Sequence, residues 1–389
     1  MYELNSFANH LPVKIRFGEG VAMTLPAVLD ELEATRVLLM VDEGIESYND
    51  AAKAVIANLE ASKCSVVRFN KAAGEPTFSM VNEATVALAE SGATALIALG
   101  GGSVIDTAKA ARLCAQQDCT FEEFIERRPA YRDPSVALIA MPTSAGTGSE
   151  VSGGAVVSNP EAGTKNGIAN ASMRAQYALV DPLLTHSMPK EMTANTGIDA
   201  IAQAIAGMVA SCRTPIGDAI ALEAISMMTP AIVAAFKSPN NAEARAAMSC
   251  GSMMAGLTMN VSDCSAEHSL GQAIGGLTHA PHGLTIGLVL AETLDRERAF
   301  VAAQLERVAT AMGAPEDGTS DGSRAVRAVK NLLSDLEFPV LSDLNISESD
   351  LDQLSDLALA DYFITMAPEP WSKEEVRNCF AQALDLKSR

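Results

Sequence analysis

The chain has 389 residues, a length that favours two domains of ordinary size over one continuous core. Its residues are 48% hydrophobic but only 4% aromatic, and together with 27 glycines this composition suits a compact soluble protein rich in helices and tight turns. The formal net charge of −20 disfavours nucleic acid and anionic membranes as partners, because both attract basic surfaces. A small molecule is therefore the expected partner.

The N-terminal segment MYELNSFANHLPVKIRFGEG has no basic stretch followed by an apolar run, so we expect no secretory signal peptide. The most apolar stretch, AIALEAISMMTPAIVAAF, contains Glu223 and Pro230, and we interpret it as a core helix rather than a membrane span. Seven cysteines are scattered without CxxC pairs, and an odd number leaves at least one unpaired. Reduced thiols in a cytoplasmic protein are the expectation.

In the first half of the chain, short aliphatic runs alternate with helical stretches, a pattern typical of parallel strands joined by crossover helices. Because these runs are apolar throughout, we expect the strands to be buried on both faces of the sheet. The predicted strands are VLLMVD (37–42), SVVRFN (65–70), ALIALG (95–100), VALIAMPT (136–143) and YALVDP (177–182). After Pro182, alanine-rich segments with helical spacing dominate. The sequence predicts an α/β domain at residues 1–187 and an all-helical domain at residues 188–389.

The segment ALGGGSVIDTAKA (98–110) follows a predicted strand and enters a predicted helix. Consecutive glycines let backbone amides approach a ligand closely, and the N-terminus of the helix favours anions. The pattern indicates a pyrophosphate site, although a glycine run also serves a tight turn that binds nothing. The cofactor-binding candidates in this segment are Gly100, Gly101, Gly102, Ser103 and Asp106.

Two further positions at strand ends are candidates for cofactor contacts. Asp42 ends the strand VLLMVD, where a carboxylate can accept hydrogen bonds from the adenosine ribose and repel a 2′-phosphate, or can cap the next helix. The loop MPTSAGTGSE (141–150) either holds ribose or nicotinamide or is a polar connector. Its hydroxyl-bearing candidates are Thr143, Ser144, Thr147 and Ser149.

Three of the five histidines fall within EHSLGQAIGGLTHAPHG (267–283). Pro281 should break the helix that carries His268, so that His282 can turn back towards it and the two imidazoles converge. His279 is as readily a core or capping histidine when it is considered alone. The cluster therefore indicates a metal or catalytic site centred on His268 and His282.

The stretch GIDAIAQAI (197–205) places Asp199 and Gln203 four residues apart in a predicted helix. That spacing puts both side chains on one face, which suits two metal ligands. Histidine would be the ordinary partner of an aspartate in such a pair, so the amide of Gln203 is unexpected.

Five motifs, in this order, resemble those of the iron-dependent, or group III, alcohol dehydrogenases: GGGSVIDTAK, PTSAGTGSE, ALVDPLLTHSMP, TGIDA and HAPHG. The resemblance spans nearly the whole chain. It implies an N-terminal α/β dinucleotide-binding domain, an all-helical metal and substrate domain, and a divalent metal in the cleft between them, the architecture shared with dehydroquinate synthase. It also implies a small alcohol or aldehyde as substrate and a homo-oligomer, with a dimer expected. The carboxylate of Asp42 at the end of its strand predicts NAD rather than NADP as the cofactor.

The resemblance assigns roles residue by residue. Asp42 would meet the adenosine ribose, and the glycine-rich segment would bind the pyrophosphate. The rest of the cofactor path would be lined by Thr143, Ser144, Thr147, Ser149, Lys165 and Leu184. The metal ligands would be Asp199, Gln203, His268 and His282, and the catalytic residues His268, His279 and His282. The proton would leave through His279, a ribose hydroxyl or water.

Gln203 and Gln272 both stand where members of the family commonly carry histidine. Imidazole is the softer ligand that suits Fe(II) and Zn(II), and it is the side chain best able to carry a proton near neutral pH. The two amides therefore predict a weakly bound metal, with zinc expected and iron the alternative, and a proton path that differs from that of relatives.

Three hypotheses remain. The first is hydride transfer to or from a substrate polarised by a metal on Asp199, His268 and His282, similar to the zinc-dependent glycerol dehydrogenases. The second is a metal-independent reductase similar to the maleylacetate reductases. The third is a non-catalytic cofactor-binding protein whose site has decayed. Retention of all three ligands favours the first, and the AGTGSE and HAPHG motifs indicate the alcohol dehydrogenase branch rather than a dehydroquinate synthase type of lyase.

Overall fold

The computed structural model describes residues 7, 10–72, 74–161 and 164–384, with only the backbone of residue 164. Residues 1–6 and 8–9, on which the expectation of no signal peptide partly depends, lie outside the described residues. The chain divides into two compact units after Met188: Leu11–Met188 forms the first, and the second is built from Pro189 onward. No disulfide joins any of the seven cysteines, all of which are described.

The first unit is an α/β structure whose main sheet has six strands, all parallel, in the order β1-β8-β5-β4-β2-β3. Its strands are β1 (Lys14–Phe17), β2 (Arg36–Val41), β3 (Ser65–Phe69), β4 (Ala95–Gly100), β5 (Ala137–Pro142) and β8 (Tyr177–Val180). An antiparallel pair, β6 (Gly154–Asn159) and β7 (Thr164–Ala169), forms a separate ribbon. The helices are α1 (Leu25–Glu31), α2 (Ile45–Tyr48), α3 (Asp50–Glu60), α4 (Phe78–Ser91), α5 (Gly102–Gln117) and α6 (Phe121–Arg127).

Strands β2, β3, β4, β5 and β8 coincide with the five predicted strands to within a few residues at each end. Alternate side chains pack on opposite faces of the sheet: Leu39 and Ile97 lie in the cluster that includes α1 and α3, and Leu38 and Leu96 in the cluster that includes α4 and α5. The predicted burial on both faces is confirmed. The sequence analysis missed β1, β6 and β7, because none of them is a continuous apolar run.

The order of the strands creates a crevice at the carboxyl ends of β2 and β4. The chain runs from β2 to β3 on one side and then returns to place β4 and β5 on the other. The connecting helices therefore leave on opposite faces at this point, which is where open α/β sheets bind ligands. Val41 pairs with Leu99, so Asp42 and the glycine run that begins at Gly100 emerge side by side.

The second unit contains no strand between residues 189 and 384, as the sequence predicts. Its helices are α7 (Lys190–Val209), α8 (Pro215–Lys237), α9 (Ala242–Ser262), α10 (Ala266–Thr278), α11 (His282–Ala311), α12 (Ser323–Asp335), α13 (Leu351–Ala360) and α14 (Lys373–Leu384). Helix α7 lies at the centre and packs against α8, α9 and α11. It is buried on every side from Gly197 to Val209, so polar groups in this stretch are held in a dry environment.

Helix α8 is the one described helix that is long and apolar enough to cross a membrane by length and composition alone, with a mean hydropathy of 1.8. Glu223 and Pro230 are exposed on this helix. Its buried residues, Ile225 and Ile232 among them, lie on the side that faces the other helices of the unit. A single helix of this kind is weak evidence for a membrane span. Its packing along α7 and α9 favours the interpretation as a core helix.

Candidate active site

Three predicted ligands meet in the helical unit, where the N-terminus of α11 approaches α7 and α10. The carboxylate of Asp199 and the imidazoles of His268 and His282 each offer an atom, and these atoms lie within 4.8 Å of one another. Asp199 Oδ1 lies 3.7 Å from His268 Nε2 and 3.6 Å from His282 Nε2. Asp199 and His268 are buried, whereas the side chain of His282 is 39% exposed. One carboxylate and two imidazoles form a ligand set that suits a first-row divalent metal.

The hydrogen bonds of these side chains test whether a metal fits. Asp199 Oδ1, His268 Nε2 and Gln203 Oε1 are all buried and have no hydrogen-bond partner among the described residues. Unpaired buried polar atoms are costly, so three of them at one place indicate a group that the protein alone does not supply. A divalent cation satisfies such atoms, and the residues therefore fit a metal.

Gln203 contacts the carboxylate of Asp199. Its Nε2 donates a hydrogen bond to Asp199 Oδ2 at 3.1 Å, which leaves Oδ1 of the carboxylate directed at the two histidines. The amide of Gln203 thus orients Asp199, and its own oxygen remains unpaired.

A second acidic residue lies directly behind His268. Glu267 is buried, and its Oε1 lies 2.7 Å from His268 Nδ1. When Glu267 is a carboxylate it accepts from the Nδ1–H of the ring, and the lone pair of Nε2 is then left for the metal site.

Two other buried groups near Glu267 are uncharged at neutral pH. Burial, with the charge of Glu267 nearby, raises the pKa of Glu297 to about 8, so this carboxyl keeps its proton. Burial raises the pKa of Cys264, a thiol beside His268, to about 11. Of the two buried carboxyl groups, Glu267 is the one that contacts the imidazole of His268.

Gly283 permits the close approach of α11 to α7. A Cβ at this position would lie 2.0 Å from the backbone oxygen of Asn195 and 3.1 Å from the Cβ of Asp199. Helix α10 ends at Thr278, His279 adopts a left-handed conformation, and α11 begins at His282 after Pro281. The expected helix break is thus present, and the rings of His268 and His282 lie 5.6 Å apart.

His279 does not belong to the group of converging ligand atoms. Its side chain is exposed and lies at the C-terminal end of α10 with φ 56°. Gln272 is partly exposed one turn after His268 on the same helix.

In the α/β unit, the glycine run packs against the second predicted cofactor loop. A Cβ on Gly102 would lie 2.7 Å from the Thr147 side chain, and one on Gly101 would lie 3.4 Å from Ser144 Oγ. Gly101 and Gly102 begin α5, whose N-terminus favours an anion. Both loops follow neighbouring strands, since Gly100 pairs with Pro142. The structure therefore brings the two candidate cofactor loops together.

Two candidates from these loops, Ser149 and Asp106, serve the protein itself. Ser149 Oγ donates to Asp106 Oδ1 at 2.5 Å, and Asp106 Oδ2 accepts from the backbone N–H of Val156. Buried Lys109 donates to Ser149 Oγ and to Gly154 O, each at 2.8 Å. Burial lowers the pKa of Lys109 to about 8. This network fixes the loop that follows β5, and it leaves neither carboxylate oxygen of Asp106 free of hydrogen bonds.

The remaining cofactor candidates occupy different environments. Asp42 Oδ1 accepts from the N–H of Gly44 at 3.0 Å, so the carboxylate does cap the turn after β2. Lys165 lies on the β6–β7 ribbon and forms an ion pair with Glu75. Leu184 is fully buried in the core beside the sheet, and therefore its side chain is not available to a cofactor.

Comparisons with known proteins agree with this arrangement. A family model described as iron-containing alcohol dehydrogenase matches residues 12–182, and the C-terminal model of the Fe-containing alcohol dehydrogenase family matches residues 193–384. The chain belongs to the iron-containing alcohol dehydrogenase family. The resemblance carried by the five motifs is confirmed, as is the fold class, because the parallel-sheet and helical units match solved structures of this family.

Several members of the iron-containing alcohol dehydrogenase family are similar over most of the chain. Choline dehydrogenase from Bacillus subtilis is 31% identical over 90% of this chain and 88% of its own length. Probable alcohol dehydrogenase EutG from Escherichia coli is 32% identical over 80% of this chain and 78% of its own. Sulfoacetaldehyde reductase from Bifidobacterium kashiwanohense, solved in complex with NAD+, has a TM-score of 0.90 at 25% identity and covers 98% of this chain and 100% of its own.

Sequence analysis missed two residues of this alcohol dehydrogenase fold that the structure makes prominent. Lys109 lies three residues after Asp106 in the GGGSVIDTAK motif, a spacing that places both on one helix face. Glu267 immediately precedes His268, and neighbouring residues in a helix ordinarily point in different directions. The first contact could have been read from helical spacing, but the second could not.

We expect the change Gly283→Ala to weaken metal binding and lower the melting temperature. The new methyl group would collide with a backbone oxygen, which cannot move aside as a flexible side chain can, and overpacking of this kind costs about 1–3 kcal/mol. Calorimetric titration with Zn²⁺ and thermal unfolding of the metal-free variant measure the two effects.

Gly276→Ala is the matched control, because Gly276 lies in α10 with open space around its Cβ position. Alanine there should leave metal binding unchanged and stabilise the helix by about 0.5–1 kcal/mol. Equal metal affinity in the two variants would show that close approach at Gly283 is not required.

We expect Gly102→Ala to reduce affinity for NADH about tenfold, or about 1.4 kcal/mol. Its Cβ would displace Thr147 and move the backbone amides that begin α5. Fluorescence titration with NADH measures the loss. The control is Gly167→Ala on β7, where nothing lies within 4 Å of the new methyl group, and its affinity should match that of the unsubstituted protein.

Proposed function

We propose that the chain is an NAD-dependent alcohol dehydrogenase that interconverts a small alcohol and its aldehyde, with a divalent metal held by Asp199, His268 and His282. The observation that carries this proposal is the meeting of three ligand atoms within 4.8 Å at a place where buried polar atoms lack partners. Family membership makes the chain an oxidoreductase that acts on CH–OH groups.

At this site the metal would supply Lewis-acid polarisation of the substrate oxygen. The residues of the chain prepare the site for it. Gln203 holds one oxygen of Asp199 and so directs the other towards the histidines. Burial of Asp199 and His268 excludes water from one side, whereas the exposed part of His282 marks the side from which a substrate enters.

NAD would supply the hydride acceptor or donor. Its pyrophosphate would bind the backbone amides at the start of α5, which the crevice between β2 and β4 exposes at the carboxyl ends of the strands. The complex of a relative with NAD+ supports this cofactor. Asp42 Oδ1 is used by the Gly44 N–H, and a carboxylate oxygen has further lone pairs with which to accept from a ribose hydroxyl.

The proton of the alcohol would leave through water or His279. Gln272 does not titrate, so it carries no proton. The side chain of His279 is exposed to solvent.

The identity of the metal is a finer question. Iron is the metal of the family name, and zinc tolerates three protein ligands with an open fourth position. A neutral amide oxygen is a weaker donor than imidazole, so we propose that either ion binds more weakly here than in relatives with histidine at position 203. A homodimer and a cytoplasmic location remain predictions.

Activity after exhaustive chelation, followed by addition of Fe²⁺ or Zn²⁺, tests the proposal. We expect activity with a panel of short alcohols and aldehydes to be lost on chelation and restored by the native ion. His268→Ala should abolish metal binding and turnover, and Gln203→His should tighten binding. His186→Ala, which removes a histidine of the α/β unit, is the control and should keep both. Full turnover by protein shown to be metal-free would favour the metal-independent reductase.

Cofactor preference tests the role of Asp42. We expect Asp42→Gly to raise the ratio of kcat/KM for NADPH over NADH at least about tenfold, because carboxylate and 2′-phosphate repel each other at short range. Glu43→Gly removes the same charge from the exposed neighbouring position and should leave the ratio nearly unchanged. An unchanged ratio in the Asp42 variant would contradict the ribose assignment.

A further inference from the structure

We infer that Glu267 is a positioning residue for the metal: its carboxylate holds the His268 imidazole by Nδ1 and places a second carboxylate next to the ligand set. The inference rests on the metal site of the proposed function and assigns a role to a side chain outside the ligand set.

The contact between Glu267 and His268 is unusual in its geometry. The two residues are neighbours in the first turn of α10, and neighbouring side chains on a helix do not ordinarily face each other. Here Glu267 Oε1 nevertheless lies 2.7 Å from His268 Nδ1, and the backbone N–H of Ser265 donates to the same oxygen at 3.2 Å. The acceptor for the imidazole is therefore fixed from two sides.

A simpler explanation is that Glu267 is an acid at a helix N-terminus, where the helix dipole favours negative charge. Such acids are usually solvated, but Glu267 is only 1% exposed and its Oε2 has no hydrogen-bond partner among the described residues. A buried carboxylate needs a positive partner to offset its desolvation. In the described part of the chain, the one basic side chain paired with the Glu267 carboxylate is His268, and a cation on the other nitrogen of a neutral His268 ring would supply the positive charge.

Glu267 adds a second carboxylate to the surroundings of the ligand set. Among the ligands, Asp199 carries one negative charge, and the amide and a pair of neutral imidazoles carry none. Glu267 does not bind the metal itself, and its charge acts on the site through the hydrogen bond between its carboxylate and His268 Nδ1. Carboxylate–histidine pairs of this kind raise the basicity of the coordinating nitrogen and fix the orientation of the ring.

Glu267→Gln tests the inference, because glutamine preserves the shape and the acceptor oxygen and removes only the charge. We expect the metal-free variant to bind Co²⁺ about tenfold more weakly than the unsubstituted protein, measured by competition with a chelator and by the visible absorption of bound Co²⁺. Glu267→Asp, which keeps the charge on a shorter side chain, should recover part of the affinity.

Glu292→Gln is the matched control, since Glu292 is a second buried acid of the helical unit and pairs with Lys330 instead of a ligand. It should bind Co²⁺ within about twofold of the unsubstituted protein. Circular dichroism and thermal unfolding in chelator verify that each variant is folded. Equal Co²⁺ affinity in folded Glu267→Gln and the unsubstituted protein, or an equal loss in Glu292→Gln, would overturn the inference and leave the proposed function intact. No Co²⁺ binding by the unsubstituted protein would overturn both.

A measurement on the unsubstituted protein keeps the inference testable if Glu267→Gln does not fold. Long-range ¹H–¹⁵N spectra of the Zn²⁺-bound chain report the protonated nitrogen of each of its five histidines. The signal of His268 is identified by its absence in His268→Asn. A proton on Nδ1 supports the inference, and a proton on Nε2 contradicts it.

Discussion

The close approach of α11 to α7 at Gly283 is the constraint on which the metal site depends. A glycine at this position lets the first turn of α11 pass against the backbone of Asn195, one turn before Asp199. His282 starts that helix, so the same contact sets its distance to the carboxylate. The break at Pro281 and the left-handed residue at His279 then return the chain towards His268. Packing between two helices therefore supplies the geometry that a metal needs before any metal binds.

In the α/β unit, too, packing inside the protein sets the shape of the candidate site. Buried groups support its cofactor loops, because Lys109 of α5 donates three hydrogen bonds to the loop after β5 and the start of β6. Ser149 of that loop donates a further one to Asp106. A buried ammonium group is costly unless it is paired, and here the carboxylate of Asp106 and the serine hydroxyls offset that cost. Because the hydroxyl of Ser149 is hydrogen-bonded within this network, the groups left to contact a ligand are the backbone amides and Thr147. The same residue types thus divide between supporting the loop and facing the crevice.

Sequence patterns predicted the elements whose burial is visible in their own stretch of sequence. Continuous apolar runs located the five buried strands, and alanine-rich spacing located the helices, because each pattern reflects burial within one element. The short strands β1, β6 and β7 gave no such signal, since none of them is a continuous apolar run. In the metal site, Asp199, His268 and His282 were predicted from spacing and from the family motifs. The contact of Glu267 with its own neighbour and the burial of Leu184 depend on tertiary packing, and spacing alone does not reveal either one.

Glutamine instead of histidine at position 203 changes which groups determine the affinity for the metal. An imidazole at that position would add a fourth strong donor, whereas Gln203 uses its N–H on Asp199 and presents a weak neutral oxygen. The ion then depends more on the groups that remain, and a charged residue hydrogen-bonded behind one of them gains influence on its affinity. In this chain that residue is Glu267, a buried acid whose one basic partner among the described residues is His268. The weak ligand and the buried acid are therefore related: the amide at position 203 is a weaker donor than imidazole, and the carboxylate of Glu267 strengthens the donor nitrogen of His268.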